Sequence, residues 1–181
     1  MFKIATPNLS TSLSKTQLKQ LKQNIIDNFS TMEPHLDELI PNKKGNVLVI
    51  KSKDVKTLAV DQIALFFEYY DIWLPVLTCL HKYPYLKSVQ CDKGAIKFLL
   101  SGANVMCPGL TSKGGMVGDD VEVDDIVAIR CEGKELEIGI GKMKMSGKQI
   151  KSKNSGEAIE IIHVMGDDLW KYCISQFTKK D

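Results

Sequence analysis

The fold of this chain is decided by residues 91–110, which read CDKGAIKFLLSGANVMCPGL. Asp92 is suited to cap a helix, because its carboxylate accepts hydrogen bonds from free backbone N–H groups. A short apolar helix is predicted to follow, with three residues at helical spacing: Ala95, Phe98 and Leu99. The Ser101-Gly102 pair ends that helix, and a short strand then runs into the turn dipeptide Pro108-Gly109. We therefore expect a compact helix–turn–strand unit.

This unit has the features of a surface for a nucleic-acid backbone or end. Glycine and alanine allow a ribose–phosphate chain to approach closely, and lysine neutralises phosphate charge. Asn104 can read an unpaired base edge or a ribose hydroxyl, and Lys142 and Lys144 are predicted to complete a basic rim from a neighbouring strand. The other candidate RNA-binding residues are Lys93, Gly94, Ala95, Lys97, Gly102, Ala103, Pro108 and Gly109. On the residues alone, an alternative stays open in which the glycines only form turns and the lysines are merely solvated.

Composition narrows the functional classes. The chain has 181 residues, of which 44% are hydrophobic and 25% charged, and its net charge is +2; such values are typical of globular proteins. Arg130 is the only arginine, so bidentate arginine readout of bases is nearly excluded and we expect no DNA recognition. No apolar run reaches the roughly 20 residues needed to cross a bilayer. Five dispersed cysteines without a signal peptide indicate a soluble intracellular protein with reduced thiols, in the cytosol or the nucleus, and we expect a cytoplasmic location.

The N-terminal half is predicted to be an α+β domain over residues 1–88. Ser14-Lys15-Thr16-Gln17 has the capping-box pattern, and a helix should run from there to about Phe29. A second short helix is expected near residues 34–40, and three apolar runs are predicted to form an antiparallel meander: 47–50, 57–60 and 63–67. Lysines at the turns are candidate contacts to a phosphate backbone, with ordinary solvation as the open alternative. Four of them are Lys43, Lys44, Lys51 and Lys53.

A second domain is predicted over residues 89–181. Its strands are expected at residues 126–129, 136–140, 143–145 and 158–164. A polar helical turn should occupy residues 146–153, and a terminal helix should begin at residues 167–170. Residues 119–125 contain five acids in seven positions. They are interpreted as an exposed turn and strand edge, because nothing supplies the burial and partner groups that catalytic carboxylates need.

Enzymatic motifs are incomplete in this sequence. Residues 109–115 have the glycine spacing of a phosphate loop but lack the Lys-Ser/Thr that should follow the second glycine. Gly139-Ile140-Gly141 is a fragment of a dinucleotide fingerprint, and no nucleophile signature surrounds any cysteine or histidine. The histidines show no metal-ligand spacing, and the cysteines form no Cys-x-x-Cys pair. We therefore predict a protein that is not an enzyme and uses no metal or cofactor.

Residues 91–110 closely resemble the signature of PUA domains, the RNA-binding modules named for pseudouridine synthases and archaeosine transglycosylases. The resemblance continues through Gly118-Asp119-Asp120-Val121, Gly139-Ile140-Gly141 and Ser155-Gly156-Glu157-Ala158. Four segments more specifically resemble the malignant T-cell amplified sequence family: His81-Lys82-Tyr83-Pro84, residues 92–112, Met143-Lys144-Met145-Ser146 and residues 163–170. This likeness is dense over about residues 74–171. It implies an α+β fold in which a C-terminal PUA pseudo-barrel follows the N-terminal domain.

Members of this family are small translation factors that work as a heterodimer with density-regulated protein. The resemblance implies that the PUA domain grips the single-stranded 3′ end of a tRNA, while the N-terminal lysines contact the small ribosomal subunit. The implied activity is non-catalytic and belongs to translation reinitiation and to ribosome recycling after termination. Two other functions stay open: an accessory protein that presents tRNA to a separate RNA-modifying enzyme, and a protein–protein adaptor that no longer binds RNA.

Overall fold

The computed structural model describes residues 9–42, 47–52 and 55–177. The described residues form two compact units, one of which is Leu86–Asp167, while the other joins the preceding residues with the C-terminal helix. Each unit combines a β-sheet with short helices, which confirms the predicted α+β class. Within the described residues, every helix is too short or too polar to cross a membrane.

The first unit is built on an antiparallel sheet whose strands follow chain order. Tight hairpins at Asp61-Gln62 and Tyr70-Asp71, with positive φ at all four residues, connect its last three strands. In order, the strands are β1 (Leu9–Ser12), β2 (Val47–Lys51), β3 (Lys56–Val60), β4 (Ile63–Tyr69) and β5 (Ile72–Pro75). The predicted meander is thereby confirmed as β2, β3 and β4.

Helix α1 (Lys15–Asn28) begins where the capping box predicts. The Ser14 hydroxyl accepts the backbone N–H of Gln17 at 3.3 Å, and the Gln17 side-chain oxygen accepts the backbone N–H of Ser14 at 2.9 Å. The apolar face of α1 is buried through Leu18, Leu21 and Ile25. Helix α2 (Glu33–Leu39) carries Pro34 in its first turn, where the missing backbone N–H removes no helical hydrogen bond.

The C-terminal helix also belongs to the first unit, although the sequence placed it in the domain of residues 89–181. This helix, α7 (Asp168–Phe177), packs against β4 and against α3 (Leu77–Lys82). The side-chain oxygen of Gln176 accepts the backbone N–H of Ala64 at 2.8 Å, across 112 positions of the chain. Local sequence patterns carry no information on such a distant pairing.

The second unit contains a mixed sheet, with the described strands in the spatial order β6-β8-β9-β10-β7. The β6–β8 pair is parallel and the other pairs are antiparallel. The strands are β6 (Lys87–Cys91), β7 (Val105–Met106), β8 (Ile126–Cys131), β9 (Gly139–Met143) and β10 (Glu157–Val164). One strand, β9, replaces the two predicted at residues 136–140 and 143–145. The predicted strand start at residue 136 was wrong, since β9 begins at Gly139. The apolar residue Leu136 suggested the earlier start, but it is 47% exposed to solvent.

Three short helices surround this sheet: α4 (Ile96–Leu100), α5 (Cys107–Thr111) and α6 (Gly147–Lys153). The Asp92 carboxylate accepts the backbone N–H of Ala95 at 2.9 Å and caps the 3₁₀ turn that leads into α4, as predicted. Pro108-Gly109, predicted as a turn, instead lies in α5, because proline is tolerated in the first turn of a helix. Helix α6 starts with a second capping box, formed by Ser146 and Gln149.

Candidate nucleic-acid interface

A pocket of about 730 Å³ opens on the surface of the second unit, beside α4. The turn before α4 and α4 itself supply residues on one side, and β7 with the first residue of β10 supply others. The lining residues are Asp92, Gly94, Ala95, Phe98, Leu99, Ala103, Asn104, Val105, Met106, Gly109 and Glu157. A largely apolar lining with a few polar groups is typical of a ligand-binding pocket.

The pocket brings together five residues that the sequence predicted to bind RNA: Gly94, Ala95, Ala103, Asn104 and Gly109. Lys93 and Lys97 are exposed beside it, in the capped turn and in α4. Gly102 is not part of the lining; its φ is +82° and its N–H donates to the Leu99 carbonyl at 2.8 Å, so a turn explains this glycine. Pro108 is also outside the lining and is exposed in α5.

Phe98 and Met106 are pocket residues that the sequence reasoning missed. Phe98 was assigned to an apolar helix face together with Leu99, but Leu99 is buried whereas Phe98 is 56% exposed. Met106, also in the lining, is 51% exposed. The ammonium of Lys97 lies 4.9 Å from the centroid of the Phe98 ring, within cation–π range. The pocket therefore offers an exposed aromatic face with a positive charge next to it.

The side chain of Asn104 is held by two hydrogen bonds inside the protein. Its oxygen accepts the backbone N–H of Ile161 in β10 at 2.8 Å. Its amide group donates to the carboxylate of Glu157, which contributes to the lowered pKa of that carboxylate. Asn104 thus fixes the wall of the pocket, and a role in reading bases stays a prediction.

The predicted basic rim on β9 is paired with acids. The ammonium of Lys144, a residue that directly follows β9, lies 2.7 Å from Glu157, and that of Lys142 lies 2.8 Å from Asp124. The ion pair with Glu157 raises the pKa of Lys144, and Lys144, followed by Asn104, lowers the pKa of Glu157. Glu157 belongs to a segment that carries the PUA resemblance, but it was not predicted as a site residue. Its ion pair with Lys144, 13 positions away, cannot be recognised from the sequence alone.

The predicted N-terminal contact lysines are described only in part. Lys51 is exposed at the end of β2, where it pairs with Lys56 of β3 in the sheet register. The ammonium of Lys56 in turn lies 2.5 Å from the carboxylate of Glu68. Lys43, Lys44 and Lys53 lie outside the described residues. Their contact to a partner stays a prediction.

Titratable groups elsewhere do not assemble into a metal site in the part of the chain that the structure describes. No group of three or more His, Cys, Asp or Glu side chains there is placed to hold a metal ion. All five cysteines are buried as free thiols. Burial raises the pKa of Cys79 to about 12, so this thiol is protonated at neutral pH and is a poor nucleophile.

Comparison with known proteins places these features in a family. A Pre-PUA-like domain model matches residues 3–84 and a PUA domain model matches residues 87–165. Translation machinery-associated protein 20 of Eremothecium gossypii is 40% identical over 168 residues, which cover 91% of this chain and 92% of the relative. Malignant T-cell-amplified sequence 2 of Homo sapiens is 42% identical over 160 residues, covering 87% and 88%. The chain belongs to the malignant T-cell-amplified sequence family.

Solved structures share the fold of this family member. A hypothetical protein from Pyrococcus horikoshii OT3 is 26% identical, with a TM-score of 0.72 over 90% of this chain and 98% of that one. A PUA domain protein from Aeropyrum pernix K1 is 24% identical, with a TM-score of 0.68 over 92% and 91%, and shows the fold alone. The pocket beside α4 lies in the PUA domain of a malignant T-cell-amplified sequence protein. The PUA domain and the names of the relatives support a translation-related RNA-binding role.

Proposed function

We propose that this chain is a non-catalytic translation factor whose pocket beside α4 holds the single-stranded 3′ end of a tRNA. It acts in the cytoplasm, in a heterodimer with density-regulated protein, on the small ribosomal subunit during reinitiation and post-termination recycling. The observation that carries the proposal is the exposed ring of Phe98 in the pocket, with Lys93 and Lys97 beside it. Single-stranded RNA is bound by this combination of a stacking surface and backbone charge.

The shape of the pocket favours an unpaired end over a duplex. Bases in an A-form duplex are stacked, and proteins contact such duplexes mainly through phosphates and ribose hydroxyls. A concave site with the exposed side chains of Phe98 and Met106 in its lining instead accepts an unstacked base. The lysines beside α4 then neutralise the phosphates that precede this base in the chain, which adds affinity without sequence readout.

The ribosome contact in this proposal is made by the N-terminal domain. Lys51 is exposed at the end of β2, and Lys43, Lys44 and Lys53 are close to it in sequence. Ammonium groups on turns can reach ribosomal RNA phosphates without reading bases. The partner would add further contacts, since two linked binding sites raise the effective affinity of an assembly.

The decisive experiment measures binding of the purified protein, with density-regulated protein supplied, to small ribosomal subunits that carry a deacylated tRNA. The tRNA is used intact and with its unpaired 3′ end removed. The protein is used as the native chain, as the double variant Lys93→Glu/Lys97→Glu, and as the control Lys148→Glu/Lys153→Glu. The control makes the same charge change on exposed residues of α6 that do not line the pocket.

We expect affinity to fall when the 3′ end is removed and when Lys93 and Lys97 are reversed, but not in the α6 control. For single-stranded RNA, each phosphate that the double variant no longer neutralises should reduce the slope of log affinity against log salt by about 0.7. If neither removal of the 3′ end nor reversal of Lys93 and Lys97 changes the affinity, the pocket is not the tRNA site. Co-purification with an RNA-modifying enzyme instead of small subunits would favour the accessory function.

A further inference from the structure

The charges around the pocket are arranged in two zones. Lys93 and Lys97 are exposed and directly precede the lining residues Gly94 and Phe98. Among the described residues that line the pocket, the charged side chains are Asp92 and Glu157, and both are acids. An RNA end that occupies the pocket therefore meets negative charge in the lining, while the exposed lysines are outside it.

Both acids keep acceptor capacity, and Glu157 is the one whose carboxylate is held in position by side chains from other segments of the chain. Asp92 uses a carboxylate oxygen to cap the turn before α4, through the N–H of Ala95. Glu157 is the first residue of β10 and is held by Lys144 and Asn104. A carboxylate offers about four acceptor positions, so Glu157 keeps capacity to accept a hydrogen bond from a ligand.

We propose that Glu157 makes this pocket select RNA ends that carry a free 3′-hydroxyl over ends that carry a 3′-phosphate. This inference rests on the proposed function, in which an RNA 3′ end occupies the pocket. It adds a chemical criterion, namely that the terminal ribose must present a hydrogen-bond donor and no additional negative charge.

The two kinds of end interact with Glu157 in opposite ways. A hydroxyl donates a short, charge-assisted hydrogen bond to a carboxylate. A terminal phosphate monoester carries about 1.5 to 2 negative charges at neutral pH and offers mainly acceptors. Two anions at contact distance repel each other, and the repulsion is stronger in a partly enclosed pocket than in water.

Lys144 does not reverse this preference. Its ammonium is held at 2.7 Å from Glu157, and Lys144 does not belong to the lining residues of the pocket. The carboxylate is therefore the charged group of this pair that an RNA end meets.

The experiment compares two short single-stranded RNAs of identical sequence, one ending in a 3′-hydroxyl and one in a 3′-phosphate. Their binding to the full chain is measured by fluorescence anisotropy. Glu157→Gln removes the charge and keeps the size of the side chain. Glu160→Gln is the matched control, because it makes the same change on β10 at a residue outside the pocket lining. Lys144→Met removes the counter-charge of Glu157 and keeps the carboxylate.

We expect the native chain to prefer the 3′-hydroxyl by at least about tenfold, since close like charges repel by more than the corresponding 1.4 kcal/mol before salt screening. Glu157→Gln should reduce this ratio to about twofold or less, Glu160→Gln should keep it, and Lys144→Met should increase it. Equal binding of both RNAs, with affinity still dependent on Phe98, would overturn this inference and leave the proposed function standing. If neither RNA depends on Phe98, Lys93 or Lys97, both are overturned.

Discussion

The side-chain oxygen of Asn104 accepts a hydrogen bond from the backbone N–H of Ile161 at 2.8 Å, and this bond ties the segment before β7 to β10. Strand β7 has two residues, Val105–Met106, and both line the pocket. A strand this short gains little from its own ladder, so a side-chain bond at its start has a large share in fixing the pocket wall.

Replacement of Asn104 by alanine should loosen this wall. The backbone N–H of Ile161 loses its protein partner, so we expect the free energy of unfolding to fall by about 0.5–1.5 kcal/mol in urea titrations, together with weaker RNA binding. Asn28→Ala is the control, since it also removes an exposed side-chain hydrogen bond, but a local one within α1, and should change stability by less than about 0.5 kcal/mol. Equal stability of Asn104→Ala and the native chain would contradict a stabilising role of the hydrogen bond between Asn104 and Ile161.

Phe98 should matter for RNA binding more than for folding. Its ring is more than half exposed, so Phe98→Ala removes little buried apolar surface. Loss of a stacking partner should weaken RNA binding by about 1–3 kcal/mol, measured by anisotropy with a single-stranded RNA. Leu136→Ala is the control, because Leu136 is similarly exposed in the same unit and lies outside this pocket. If both variants bind RNA equally, stacking on Phe98 is wrong.

Local signals in the sequence located much of the fold and part of the candidate site. The Ser14 capping box, the Asp92 cap and the meander were predicted because each depends on neighbouring residues alone. The glycines and alanines of residues 91–110 indicated the pocket for the same reason. The exposure of Phe98 was missed because α4 has five residues, too few for helical periodicity to distinguish its buried face from its open one.

The remaining differences come from contacts between distant positions. Lys144 was predicted to complete a basic rim, yet its charge is paired with that of Glu157. Helix α7 was assigned by its position in the chain, yet Gln176 bonds to Ala64. A single sequence shows that these residues are charged or polar but does not show which of them meet.

The buried thiol of Cys79 should make the protein less stable at high pH. Burial raises its pKa from 9.0 to about 12 in the folded state. Between these two values the unfolded chain loses the thiol proton while the folded chain keeps it, so the free energy of unfolding falls as pH rises. We expect Cys79→Ala to show a shallower decline above pH 9, by up to about 1.4 kcal/mol per pH unit. Urea titrations from pH 8 to 11 measure the free energy of unfolding of both proteins. If it falls with pH at the same slope in the native chain and in Cys79→Ala, burial of this thiol does not cause the decline.

Gly109 separates the requirements of folding from those of binding. It lies in α5, and a Cβ there would be 3.8 Å from the side chains of Ala95 and Val105, an ordinary contact distance. Alanine is favoured over glycine within helices, so Gly109→Ala should keep stability or raise it by about 0.5–1 kcal/mol. The added methyl group occupies the pocket, however, and we expect RNA affinity to fall by about tenfold, or 1.4 kcal/mol.

Gly147 provides the opposite case, because glycine is required there by packing alone. A Cβ at this position would overlap the carbonyl oxygen of Gly118, so Gly147→Ala should lower the free energy of unfolding by about 1–3 kcal/mol. Gly147 does not line the pocket, and RNA affinity of the folded fraction should be unchanged. Thermal unfolding and anisotropy on both variants test the pair. If Gly109→Ala binds RNA as the native chain does, the terminal nucleotide does not reach Gly109 in the pocket lining.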